Sequence, residues 1–121
     1  MGSDWIRLMH TLFLPAAASL HAESWQPSAD VYRTHDGWLV KFDLAGVRPE
    51  DIEIKVHGRI LSVRGTRRDT CVEEGCQHYS IEISYSQFER SLSLPADLGR
   101  ARFTTEWRHG MLLVRIHKEA P

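Results

Sequence analysis

The stretch Trp38-Leu39-Val40-Lys41-Phe42-Asp43-Leu44 decides the fold. Trp38, Val40, Phe42 and Leu44 fall on one side and Leu39, Lys41 and Asp43 on the other, the two-residue period of a strand with one buried face. Gly46-Val47-Arg48-Pro49-Glu50-Asp51 then turns the chain, with Pro49 and two acids suited to the first turn of a short helical segment. Ile52, Ile54 and Val56 alternate with Glu53, Lys55 and His57, Gly58-Arg59 makes a tight hairpin, and Leu61 and Val63 continue the buried face. Two strands a hairpin apart, both apolar on one face, need a second sheet to cover them. Farther on, Leu92 and Leu94 alternate with Ser91 and Ser93, and Pro95-Ala96-Asp97-Leu98-Gly99 turns the chain. Phe103, Thr105 and Trp107 mark another strand, and His109-Gly110 is a hairpin turn before Leu112, Val114 and Ile116. Seven or eight short antiparallel strands at this spacing predict an all-β, immunoglobulin-like sandwich.

Between these strands, Arg64 to Ile83 is irregular, with Arg67, Arg68, Asp69, Glu73, Glu74 and Gly75 reading as turn and solvent residues. Inside it, Tyr79-Ser80-Ile81-Glu82-Ile83 alternates and reads as a short strand remote from its own sheet. Loops of this length are often functional and often simply mobile.

The chain has 121 residues, 42% apolar and 26% charged, with Lys+Arg 15 against Asp+Glu 16. That length suits one domain burying roughly 65% of the surface its unfolded form exposes. The net charge of -1 and the interleaving of acids with bases argue against nucleic-acid binding. No stretch approaches the roughly 20 apolar residues of a membrane span. Two cysteines, Cys71 and Cys76, are too few for a disulfide scaffold and fit a reducing, cytoplasmic compartment.

Met1 to Ser24 differs in composition: Trp5, Leu8, Met9, Leu12 and Phe13 recur at helical spacing up to Pro15, a short apolar helical arm. A helix packed on its own domain, an exposed arm seeking a partner, and a signal peptide are the three readings. The last is opposed by Arg7 cancelled by Asp4 and by Leu20 ahead of the candidate cleavage position at Ala22.

Several motifs together resemble the alpha-crystallin domain of small heat-shock proteins, in its bacterial style. They are Trp25-x-Pro27-x-x-Asp30-Val31-Tyr32, then Asp43-Leu44-Ala45-Gly46-Val47-Arg48-Pro49-Glu50-Asp51-Ile52, and Leu61-Ser62-Val63-Arg64-Gly65. Phe88-Glu89-Arg90-Ser91-Leu92-Ser93-Leu94-Pro95 and Gly110-Met111-Leu112-Leu113-Val114-Arg115-Ile116 complete the set in family order. Thr105, His109, Met111 and His117 depart from the residues usual at those places in the family.

The resemblance divides the chain into an arm over 1–24, an alpha-crystallin domain over 25–118 and a vestigial tail over 119–121. It implies an ATP-independent holdase that binds partly unfolded clients, with no cofactor and no metal. It also implies a homodimer by strand exchange, in which Tyr79, Ile81 and Ile83 add to the partner's edge around Asp30 to Arg33, including Tyr32. Arg90 matches the family's strand arginine, which makes ion pairs; the plainer reading is a solvated arginine worth about 0–1 kcal/mol. Client binding would fall to Trp5, Leu8, Leu12 and Phe13 and to a groove between the outer strands. Family members usually dock a C-terminal I-x-I segment in that groove. Here only Glu119-Ala120-Pro121 follow Lys118, whereas Ile52-Glu53-Ile54 and Ile81-Glu82-Ile83 lie in predicted strands. Dimers or small oligomers are therefore expected. The alternative function is an adaptor or co-chaperone subunit that pairs with longer small heat-shock proteins or with a defined folded partner.

No catalytic grouping stands out: both the G-x-x-x-x-G-K-[ST] loop and the G-x-S-x-G elbow are absent, and the chain reads as a non-enzyme. Cys71-x-x-x-x-Cys76-x-His78 has zinc-ligand types at unusual spacing. A redox pair near Arg67 and Arg68 and two inert exposed thiols are the other readings.

Overall fold

The alternating runs become seven strands in two antiparallel sheets in the computed structural model, which describes residues 24–69 and 73–118. β1 (Ala29–Thr34), β2 (Gly37–Asp43), β7 (Met111–His117) and β6 (Arg102–Arg108) form a four-stranded sheet in that spatial order. β3 (Ile52–His57), β4 (Ile60–Thr66) and β5 (Gln87–Ser93) form the second sheet. Apart from Ser24, the expected arm with Trp5, Leu8, Leu12 and Phe13 lies outside the described residues, as do Cys71 and the tail over 119–121.

Strand register assigns the faces. β2 and β7 set Trp38 opposite Ile116, Val40 opposite Val114 and Phe42 opposite Leu112, while β4 and β5 set Leu61 opposite Leu92 and Gly65 opposite Phe88. The inward sets of the two sheets meet in one core in which Val40, Phe42, Leu44, Leu61, Val63 and Val114 are fully buried, joined by Phe88, Leu98, Leu112 and Ile116. Each fully buried side chain of this size contributes about 1.5–3 kcal/mol relative to exposure, so this core drives the fold.

The turns follow from local chemistry. Pro49–Asp51 is a 3-10 turn with Pro at its start, as its sequence predicts. Gly58 takes a left-handed φ of 62° in the β3–β4 hairpin; at the β6–β7 hairpin both His109 (φ 53°) and Gly110 (φ 78°) are left-handed, the twist that suits a two-residue connection. Gly65 is required for space instead: a Cβ there would overlap the Asp51 carbonyl oxygen and lie 2.8 Å from Phe88 Cζ, so its absence lets the 3-10 turn rest on β4.

Candidate pairing edge and exchange loop

Among the described residues β1 pairs only with β2, which leaves the backbone groups of its other side without a strand partner there. Val31 and Tyr32 on this edge are 41% and 43% exposed. The Tyr32 hydroxyl donates to Asp30 at 3.4 Å. Lys41 Nζ lies 5.2 Å from the centre of the Tyr32 ring and 3.9 Å from the Asp30 carboxylate. Tyr32 first, and Asp30 to a lesser degree, hold the Lys41 ammonium above its ordinary pKa. Asp30 and Tyr32, two of the residues named for the interface, are thus tied to one another and to the neighbouring strand.

The other half of the expected interface, Tyr79 to Ile83, is not a strand in the lone chain, contrary to the reading of its alternation. An alternating run forms a ladder only where another strand offers donors and acceptors, and none of the described residues lies beside this one in that way. Its apolar side chains are left open: Tyr79 is 101% exposed, Ile81 41% and Ile83 56%. Among the described residues there are six exposed large hydrophobics, and five of them are Val31, Tyr32, Tyr79, Ile81 and Ile83; only Ile60 lies elsewhere.

The first part of the loop is tied down. Arg68 donates twice to Asp51, Nε to Oδ2 at 2.9 Å and a terminal nitrogen to Oδ1 at 3.1 Å. That guanidinium, with help from Arg48, holds the Asp51 carboxyl below its usual range. His78 Nε2 lies 2.7 Å from Asp69 Oδ2. Cys76 is disulfide-bonded, which corrects the reading of two inert free thiols. Among the described residues no group of three or more His, Cys, Asp or Glu is placed to hold a metal ion.

Both ends of the loop converge on Arg67. Its guanidinium stacks over the Trp25 ring, 4.1 Å from the centroid, and donates to the carbonyls of Ser84 at 2.9 Å and Ala45 at 3.1 Å. Its backbone N–H donates to the Ser86 carbonyl at 3.1 Å. Burial lowers the pKa of this guanidinium, an effect partly offset by Tyr85 and Asp43. Trp25 in turn forms a parallel bridge to Phe88, with its N–H donating to Gln87 and its carbonyl accepting from Glu89, both at 3.1 Å. The two rings lie 5.3 Å apart. Arg67 reads as a solvent residue by composition, yet it shares the parity of Leu61, Val63 and Gly65, and that parity marks it as inward-facing.

Arg90 is not a solvated surface arginine, and among the described residues its partner is a carbonyl. It is half-buried on the inner face of β5, opposite Val63, and donates to the Pro27 carbonyl at 3.1 Å. This bond brings the β5 edge alongside the approach to β1, so β3 and β6 are the edges of the opposite side. Ile52, Ile54 and Val56 of β3 and Phe103 and Trp107 of β6 are partly buried there against the core, the apolar lining expected between the outer strands.

These features define an antiparallel sandwich with an open edge and an apolar loop of its own. The chain matches the Hsp20/alpha crystallin family over residues 30–121 and belongs to it. It is 28% identical over 93 residues to small heat shock protein C2 of Rickettsia felis, covering 77% of this chain and 60% of that protein. Among solved structures, hspA of Xanthomonas axonopodis superposes with a TM-score of 0.64 at 31% identity, covering 79% of this chain and 96% of that one. Heat shock protein 16.0 of Schizosaccharomyces pombe does so with a TM-score of 0.68 at 28% identity, covering 78% and 88%. The chain spans less than two thirds of the length of the curated relatives it matches first, down to 25% of a Dictyostelium discoideum heat shock protein. No helix among the described residues is long and apolar enough to cross a membrane.

Proposed function

We propose that this chain is an ATP-independent, cytoplasmic holdase that works as a strand-exchanged homodimer or a small oligomer of such dimers. The observation that carries the dimer is the concentration of exposed apolar side chains on two elements that are complementary in kind, an unpaired edge strand and an unpaired alternating segment. Adding Tyr79–Ile83 of one copy to β1 of another supplies main-chain hydrogen bonds and covers both sets. Asp30, Tyr32, Tyr79, Ile81 and Ile83 form the interface in this reading. Arg90 acts behind it, by holding the segment that leads into β1 through Pro27.

Client capture rests on family membership and on apolar surface that competes with client aggregation. The surfaces proposed for it are Trp5, Leu8, Leu12 and Phe13 of the arm over 1–24 and the lining of the β3–β6 side of the domain over 25–118. The domain carries this out without catalysis. Aggregation assays with two unrelated clients, without nucleotide, test the reading. Suppression of both is expected; suppression of neither points to the adaptor or co-chaperone role instead. Deleting residues 1–24 without loss of suppression would remove the arm from the mechanism.

A further inference from the structure

We propose that Arg67 is a positioning residue that locks the two ends of the exchange loop to each other and to Trp25, the point at which residues 1–23 join the sandwich. A single arginine joins four separate segments here. Its guanidinium stacks on Trp25, donates to the Ala45 carbonyl in the turn after β2 and to the Ser84 carbonyl at the far end of the loop, and Arg67 itself stands at the near end. The backbone bond from Arg67 to Ser86 closes the loop at its base, and the Trp25 indole N–H leans on the same Ser86 carbonyl at 3.4 Å. Gly46 takes a left-handed φ of 82°, which turns the chain beside Ala45 where the guanidinium reaches it. The planar, multiply donating arginine head suits such a site, because it stacks on a ring and donates in its own plane simultaneously; a lysine ammonium does not combine the two.

The consequence is mechanical. Movement of residue 25 is transmitted to residues 84–87 through the Arg67 side chain, which alone reaches Ser84, and through the bonds of Trp25 itself to Ser86 and Gln87, and so to the start of β5 and the far end of the loop. Trp25 also caps the free edge of β5 through its bridge to Phe88, so releasing it opens that edge together with the loop. The arm and the exchange segment are thereby coupled within one chain. This coupling deepens the strand-exchange reading, and only its effect on dimer affinity rests on that reading.

The test uses the full chain with Arg67→Ala and Arg67→Lys, with Arg68→Ala as the control, since Arg68 binds the same loop to Asp51 but does not touch Trp25. Amide hydrogen exchange is followed at Trp25, Arg67 and Glu89 and, for comparison, across β2 and β7. Arg67→Ala is expected to speed exchange at the first three by about tenfold or more while β2 and β7 are unchanged, with Arg67→Lys showing most of the effect and Arg68→Ala little of it. A general loss of stability would instead speed exchange in β2 and β7 as well, and that result overturns the proposal, as does unchanged exchange at Trp25 and Glu89. Sedimentation of the wild type and of Arg67→Ala is run in parallel. A dimeric wild type that is weakened about tenfold by the substitution supports the proposal in full. A monomeric wild type refutes strand exchange, while faster exchange at Trp25 in the variant still sustains the lock.

Discussion

If the chain dimerises by the proposed strand exchange, replacing Ile81 and Ile83 together by serine should dissociate the dimer without touching the fold. In the lone chain these side chains are 41% and 56% exposed, so together they leave open roughly the surface of one whole isoleucine, and neither belongs to the core cluster. Fully burying one isoleucine is worth about 1.5–3 kcal/mol. Two-fold symmetry counts the loss twice, giving about 3–6 kcal/mol, or two to four orders of magnitude in the dimer Kd. These are upper values, because a serine still fills part of the site and the hydrogen bonds of an added strand come from the backbone. Sedimentation velocity over a dilution series reads the change directly, and a thermal melt under monomeric conditions checks that the sandwich is intact. Equal Kd for the variant and the wild type would refute the assignment of this segment to the interface. So would a variant that melts early as a monomer, since that would mean the two isoleucines pack on their own domain.

Three further outcomes follow from the packing and charges. Gly65→Ala forces a methyl against the Asp51 carbonyl and the Phe88 ring, and should destabilise the domain by about 1–3 kcal/mol or more, read as a fall in Tm. His109→Asn should raise stability by roughly 0.5–1 kcal/mol in denaturant titrations, because asparagine tolerates the left-handed φ of 53° better than histidine does. Acid should weaken the fold as Asp51 and Glu106 protonate. Their folded pKa values are depressed, by Arg68 chiefly for Asp51 and by Arg115 and then Arg108 for Glu106, so their contribution is present above the ordinary carboxylate pKa and lost as pH falls through the lowered values. Melts taken from about pH 7 down to about pH 3 should therefore show a smaller acid-side drop in Arg68→Ala than in the wild type.

The sandwich was legible because alternation and turn chemistry are local. Val40 and Phe42 or Leu61 and Val63 announce a buried face from spacing alone, and Gly58 and Gly110 announce the hairpins between such faces. The exchange segment was half legible. Its alternation is as plain as that of β3, but a strand is a property of two segments, and the second one is absent from a single chain. Arg67 was misjudged for a different reason. Charge suggested solvent for Arg67, while the parity it shares with Gly65 and Val63 suggested the interior. Parity prevailed because the guanidinium finds a ring and two carbonyls there, which answer the desolvation that composition alone would make prohibitive. Arg90 likewise lies inward and donates to a carbonyl within the chain.

The four sheet edges differ in a way that favours the proposed pairing at β1. Exposed edges invite indiscriminate pairing, and proteins blunt them with charge or cover. β3 carries Glu53 and Lys55 outward, with Arg64 of β4 joined to the same glutamate at 3.3 Å, and β6 carries Arg102, Glu106 and Arg108. β5 is capped by the Trp25 bridge. None of these three contributes a large exposed hydrophobic, whereas β1 contributes Val31 and Tyr32 and has its one lysine neighbour, Lys41, drawn over the Tyr32 ring. In the strand-exchange reading, Val31 and Tyr32 are the part of this edge that a partner covers. The loop that presents Tyr79, Ile81 and Ile83 is the segment of matching character within the same chain. In the proposed dimer a second copy satisfies both at once, because the symmetry that lends one chain's loop to its partner returns the partner's loop to the first chain's edge.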